Sequence, residues 1–194
     1  MGSRLWLERQ LNDPFVRQAK LDGYRSRAVY KLIEINEKTD LLKKGAKVMD
    51  LGAAPGGWSQ YAAKLGCLVT AIDLQEIEPI TGVRIIKGDF FDDTILSEIN
   101  GKYDVVLSDM AAAASGHPNT DHLRIMELVE TALDFALKNT KKGGSFLTKI
   151  LQGGEEQGFA KELRKYYAKV KFIKPEASRK DSSETFIVAT GFKE

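Results

Sequence analysis

The stretch that most constrains this chain runs from Val48 to Trp58. Val48 to Leu51 reads as a short buried strand, Gly52 to Gly57 as a glycine-rich turn, and Trp58 to Leu65 as a helix with apolar positions at helical spacing. A strand that passes through glycines straight into a helix brings backbone close to a ligand. It also aims the free N–H groups of the helix start at anionic parts of that ligand. The spacing of Gly52, Gly56 and Gly57 is not the dinucleotide fingerprint, and no Gly-Lys-Ser/Thr follows as in a P-loop. The turn therefore predicts a bound small molecule held near Gly52, Pro55, Gly56, Gly57 and Trp58; a plain tight turn is the alternative.

From Lys47 onward, apolar runs and helical patterns alternate. Strands are expected near 47–51, 68–73, 84–87, 103–109, 144–151, 169–174 and 184–191, and helices near 58–66, 92–99, 121–139 and 156–167. This order predicts an α/β fold with a doubly wound, largely parallel sheet and helices on both faces. No helix separates the last two strands. The polar loop from Pro175 to Ser183 suits an antiparallel connection, so the expectation is a mixed seven-stranded sheet, six parallel and one antiparallel. Helices are also expected at 4–12, 14–22 and 24–38, with Pro14 placed to start the second. With 194 residues, the chain suits one domain. Residues 47–194 would form a Rossmann-like core and residues 1–46 a basic helical extension of it.

No apolar run approaches the roughly 18 residues of a membrane span. Cys67 is the single cysteine, so neither a disulfide nor a thiol metal site is expected within the chain. A monomer in a reducing, cytoplasmic compartment, with no metal and no membrane partner, is the expectation. The net charge of +2 hides an uneven distribution: residues 1–47 carry a net +5, residues 161–180 a net +6 and residues 48–160 a net −7. If the ends meet, they form one basic surface beside an acidic pocket, which suits a polyanion such as RNA. Lys20, Arg25, Arg27, Arg179 and Lys180 are the candidate RNA contacts. Two ordinary solvated helix faces are the competing reading.

Ligands of open parallel sheets lie beyond the carboxyl ends of the strands. There the second strand ends in Asp73, 21 residues after Gly52, close to the spacing of about 20 expected for an acid that binds ribose hydroxyls. Leu74 follows it into the same candidate set. The third strand ends before Asp89 and Phe90. Asp89 suits an exocyclic amine, or equally a helix N-cap; Phe90 suits the face of a base. Asp109 ends the fourth strand, Lys149 lies toward the end of the fifth, and Glu184 opens the seventh. A lysine inside an apolar strand is costly unless it is paired or reaches a cleft. Asp109, Lys149 and Glu184 are thus expected to converge at the ligand rim, either as catalytic groups or as a structural ion pair.

Several segments together resemble one family. They are Ser26 to Leu32, Asp50 to Gln60, Ser108 to Met110, Gly143 to Phe146, Lys149 to Gly153 and Glu184 to Gly191. In this order, over nearly the whole chain, they look like the FtsJ/RrmJ family of S-adenosylmethionine-dependent RNA 2′-O-ribose methyltransferases. The resemblance implies a Rossmann-like methyltransferase fold. It implies a catalytic tetrad of Lys31, Asp109, Lys149 and Glu184, and cofactor contacts at Gly56, Trp58, Asp73, Asp89 and Asp109. The opening residues Trp6 to Arg27 look like the branch that methylates large-subunit ribosomal RNA. The sequence departs from many bacterial members at Ala111 to His117, where they carry a Pro-Asn pair; that loop would border the substrate.

The implied reaction is in-line transfer of a sulfonium methyl to a ribose 2′-oxygen, for a uridine of large-subunit ribosomal RNA in the ribosomal particle. The protein must align the reacting atoms and help remove the hydroxyl proton. Lys149 would serve as the base or as the cation beside the developing alkoxide. His117 and His122 lie in or beside a polar loop and are expected to be exposed. Rival readings are a tRNA or other RNA 2′-O-methyltransferase, a nicotinamide oxidoreductase, which would need the missing glycine fingerprint, and a non-catalytic RNA-binding assembly factor, which would not need the tetrad.

Overall fold

A computed structural model describes residues 13–89, 91–99, 101–111, 118–154, 156–179 and 182–193. The expected helix at 4–12, Phe90, the Ala112 to His117 loop and Lys180 lie outside them. The elements are α1 (Pro14–Leu21), α2 (Val29–Thr39), β1 (Lys47–Leu51), α3 (Gly57–Lys64), β2 (Leu68–Asp73), β3 (Val83–Lys87), α4 (Asp93–Ile99), β4 (Tyr103–Ser108), α5 (Pro118–Asn139), β5 (Thr140–Leu151), α6 (Glu156–Tyr166), β6 (Tyr167–Ile173) and β7 (Glu184–Phe192). The seven strands lie in the order β3-β2-β1-β4-β5-β7-β6. Neighbours pair in parallel except β7, which runs antiparallel to both β5 and β6. The sheet is the mixed one that the alternation of elements predicts.

Alternation along the strands builds two cores. Met49, Leu51, Val106, Phe146, Ile150 and Ile187 face one side, where α4, α5 and α6 cover them with residues such as Ile99, Ala132 and Leu163. Val48, Val105, Leu107, Leu147, Phe186 and Val188 face the other. There Leu32 and Ile35 of α2 and Trp58 and Ala62 of α3 cover them. The segment before the first strand therefore packs into the core on this face of the sheet.

Two boundaries differ most from the sequence expectation. The third N-terminal helix starts at Val29, not near Tyr24. Gly23 has φ +74, a conformation that favours glycine, and the Tyr24 amide closes α1 by donating to the Ala19 carbonyl at 2.8 Å. The Arg25 amide donates to Gln60 Oε1 at 2.9 Å, and the Ala28 carbonyl accepts from Trp58 Nε1 at 2.8 Å. The Arg25 amide and the Ala28 carbonyl thus tie this stretch to α3. Strand β5 is also longer than expected, because a register shift lets Thr140 pair with Tyr103 before Ser145 pairs with Val105.

Gly144 sits inside that irregularity. A Cβ there would stand 2.8 Å from the Lys141 carbonyl oxygen and 2.9 Å from that of Asp104, neither of which can rotate away. Gly144→Ala is expected to destabilise the fold by about 1–3 kcal/mol. A shifted denaturant midpoint would show it; an unchanged midpoint would refute the crowding.

Candidate active site

At the carboxyl ends of β1, β2, β3 and β4 lies a cleft of about 360 Å³. Gly52 and Ala54 form its floor, Asp73, Leu74 and Asp89 line one side, and Asp109 with Met110 closes the other. The floor is tight. Gly52 has φ +71, and a Cβ on it would stand 2.5 Å from Met110 Cγ, so only glycine lets the β1 turn pass under Met110. Asp73 braces this turn: one carboxylate oxygen accepts the Ala54 amide at 2.9 Å and the other accepts the Gln75 amide at 2.8 Å. An ionised carboxylate has about four acceptor positions, so Asp73 keeps capacity for a ligand. Asp89 is not a helix cap. Its Oδ1 accepts the Phe91 amide at 2.9 Å, while Asp92 caps α4 by accepting the Thr94 amide at 2.8 Å. That leaves Asp89 exposed in the cleft wall.

Trp58 does not line the cleft. Its indole is buried against Phe186, with ring centroids 5.9 Å apart, and its N–H goes to Ala28. Pro55, Gly56 and Gly57 form the turn behind the cleft floor. Gly56 is the residue before α3, at φ +107. Gln75, Phe91 and Leu128 line the cleft but were not expected from the sequence. Only fold placement finds them, since none carries a motif.

The four residues of the resemblance form two ion pairs, and one of the four, Asp109, lines the cleft. Lys149 is only 7% exposed, in the β5 strand next to β4. Its Nζ lies 2.9 Å from Asp109 Oδ1 and donates to the Asp109 carbonyl at 3.0 Å. The carboxylate contact has ion-pair distance without hydrogen-bond angles; the directed bond is the one to the carbonyl. Across the antiparallel pair, Lys149 sits opposite Phe186, with Glu184 two residues before it. The strand period of two puts Lys149, Phe186 and Glu184 on the same face. There Glu184 Oε1 meets Lys31 Nζ of α2 at 2.5 Å, and accepts from Ser178 Oγ at 3.2 Å. The Lys31 ammonium also lies 5.7 Å from the centre of the Phe186 ring. Two lysine–carboxylate pairs therefore stand side by side, with one of the carboxylates, Asp109, facing the cleft.

The basic ends do meet. Glu34 of α2 accepts the Glu176 and Ala177 amides at 2.6 and 2.9 Å, holding the β6–β7 loop on the N-terminal helix. Arg27 donates to the Ala177 carbonyl and pairs with Asp13 at 3.0 Å. Burial lowers the pKa of its guanidinium from the ordinary value, and the Asp13 charge opposes that. Arg179 Nε lies 3.8 Å from the same Asp13 carboxylate. Lys20 is exposed near the end of α1. Arg25, by contrast, turns inward: Nη1 donates to the Pro55 and Glu78 carbonyls at 3.2 and 2.5 Å, and Nη2 to Pro79 at 2.8 Å.

One acid of the motif lies outside the resemblance's functional set. Asp50, in the middle of β1, is 1% exposed, and its Oδ2 accepts from Ser59 Oγ at 2.6 Å. Burial pushes its carboxyl up to about 7; the bonds from Ser59 oppose the rise, and the charges of Asp109 and Asp73 add to it.

With this geometry established, the fold and cleft define a Rossmann-like methyltransferase. A family model described as FtsJ-like methyltransferase matches residues 24–192. Among curated proteins, a "Ribosomal RNA large subunit methyltransferase E" of Acidiphilium cryptum is 55% identical over 99% of this chain and 88% of its own length. A relative of the same description from Rhodopseudomonas palustris is 54% identical over 100% of this chain and 86% of its own. Among solved structures, a ribosomal RNA methyltransferase from Plasmodium falciparum superposes with TM-score 0.77 at 30% identity, covering 87% of this chain and 98% of that one. The chain belongs to the FtsJ-like methyltransferase family.

Asp50 provides a pH test of the site's electrostatics. Its folded pKa is raised, so between its ordinary 3.8 and about 7 the native state holds a proton that the unfolded chain has released. Stability contributed by this group is thus lost as pH rises through that window and levels off above it. Asp50→Asn keeps an acceptor for Ser59 and removes the titration. Denaturant unfolding at pH 5, 6, 7 and 8 is expected to show the variant gaining on the wild type as pH rises. Parallel stability curves would contradict a buried proton on Asp50.

Proposed function

We propose that this enzyme transfers a methyl group from S-adenosylmethionine to the 2′-hydroxyl of a ribose in RNA, at a uridine of large-subunit ribosomal RNA within the ribosomal particle. One observation carries the reading: Asp109 both lines the cleft and pairs with the buried Lys149, whose strand face continues through Phe186 to the Lys31–Glu184 pair. The descriptions of the curated relatives, which name large-subunit ribosomal RNA, support the substrate.

The residues of the cleft fit the donor. Asp73 has spare acceptor positions for two ribose hydroxyls, Asp89 suits an exocyclic amine, and Ile72, Phe91 and Leu128 offer apolar surface to an adenine. Glycine at position 52 lets the backbone come close. S-adenosylmethionine supplies a methyl group already activated by its sulfonium charge.

The chain's own residues then have two roles. Asp109 borders both the cleft and Lys149, so it fixes the lysine head beside the donor end of the cleft. Lys149 directs its nitrogen to the incoming 2′-oxygen, which forms the new O–C bond as the C–S bond breaks and the hydroxyl proton leaves. As an ammonium it stabilises the negative charge growing on that oxygen while the proton passes to solvent water; as a free amine it takes the proton itself. Such help is typically worth about 10²–10⁴-fold. Glu184 and Lys31 form the outer wall, where the ribose enters, and Glu34 and Ser178 keep Glu184 in place. Holding hydroxyl and methyl in line supplies the rest by orientation.

The test is the position of the methyl. Incubation of wild-type protein with methyl-labelled donor and large ribosomal subunits lacking the modification is expected to give label that survives alkaline hydrolysis in a dinucleotide, since a blocked 2′-oxygen cannot cleave its neighbouring phosphodiester. Label recovered on a base after nuclease digestion, or in transfer RNA but not in the subunit, would overturn the reading.

A further inference from the structure

Arg25 lies in one of the two basic parts of the chain, yet its guanidinium is bound by the molecule's own carbonyls. Its two Nη atoms hold three backbone carbonyls from two loops: Pro55 in the glycine turn, and Glu78 and Pro79 in the β2–β3 connection. A planar guanidinium suits this, because its fork of N–H groups reaches carbonyls on either side at fixed angles. The backbone of the same segment is locked to the helix behind the turn. The Arg25 amide donates to Gln60, Gln60 donates back to the Gly23 carbonyl at 3.3 Å, and Ser26 Oγ occupies the space where Gly57 would carry a Cβ.

Both loops held by Arg25 belong to the cleft. The β2–β3 connection begins with Leu74 and Gln75, which form its wall, and packs Ile77 on Ala53 and Ala71. Asp73 ties the two loops at the cleft edge, through the Ala54 and Gln75 amides. Arg25 ties them again further along each, at Pro55 and at Glu78 and Pro79. Gly56 sits at φ +107, which favours glycine, with the space of a Cβ flanked by the tip of Ile80 at 2.6 Å and the Arg25 guanidinium at 3.4 Å.

We infer that Arg25 is a positioning residue for the methyl donor, clamping the glycine turn to the β2–β3 loop and so setting the width of the cleft, and is not an RNA phosphate contact. The inference rests on reading the cleft as the S-adenosylmethionine site. It also ties the N-terminal segment to the cofactor, so that the same segment that supplies Lys31 holds the donor's loops.

The experiment compares wild type, Arg25→Ala and Arg25→Lys by calorimetric titration with S-adenosylmethionine and by RNA binding over a range of salt. Arg25→Ala is expected to weaken cofactor binding about three- to thirtyfold, the range of couplings that act through intervening structure. Arg25→Lys, with one head in place of a fork, is expected to fall between. The log–log salt slope of RNA binding is expected to match wild type in both, whereas a lost phosphate contact would flatten it by about 1. Amide exchange is expected to quicken at residues 53–56 and 76–80. Unchanged cofactor affinity in Arg25→Ala, or a flattened salt slope with either variant, would overturn the inference. Wild-type protein that fails to bind the cofactor would instead overturn the reading of the cleft.

Discussion

A lysine ammonium 7% exposed in the middle of a sheet is the constraint on which the rest of the site depends. An unpaired charge there is strongly destabilising, so the fold must bring it partners. Asp109 supplies two, a carboxylate and a carbonyl. Both come from the residue that follows β4, and the parallel register of β4 and β5 sets them level with Lys149. The cleft side of Asp109 is then fixed as well. Requiring one charge to be satisfied thus places the Lys149–Asp109 pair at the edge of the cleft.

The second pair shows how far the N-terminal helices belong to the site. Lys31 comes from α2, which is held to the sheet by the buried Leu32 and Ile35 and by the Trp58–Ala28 hydrogen bond. One turn further along α2, Glu34 holds the loop before β7 through two amides, and so sets where Glu184 begins. Four residues before Lys31, just ahead of the helix, Arg27 holds the same loop through the Ala177 carbonyl. Arg27 and Glu34 together dock the β6–β7 loop so that Glu184 meets the lysine between them. The helical extension packs into the sheet's core and, in the proposed site, supplies Lys31.

Much of this was legible in the sequence. The boundaries of β1 and β2 follow from apolar runs that stop at glycine and acid, and the strand-end rule places Asp73, Asp89 and Asp109 around one opening. Lys149 betrays itself by polarity in an apolar run. Other features were not legible, for physical reasons. Charge reads the same in sequence whatever its partner, so the internal acceptors of Arg25 and Arg27 are visible only in the fold. Trp58 follows the glycine turn directly, but the helix geometry turns its indole toward Phe186 and away from the cleft. Nothing local in the sequence marks Asp50 as buried, and it is burial that raises its pKa. The longer β5 depends on pairing Thr140 with Tyr103, 37 positions earlier, which no local pattern records.

In the proposed mechanism Lys149 acts on the reacting oxygen while the cleft alone holds the donor. The most direct test is single-turnover methyl transfer by Lys149→Ala on ribosomal particles, with cofactor affinity and thermal unfolding measured on the same protein. The mechanism predicts a rate lower by about 10²–10⁴-fold with cofactor affinity and fold retained, and no recovery in Lys149→Arg, whose guanidinium has a different shape and stays protonated. A near-normal rate in Lys149→Ala would contradict it.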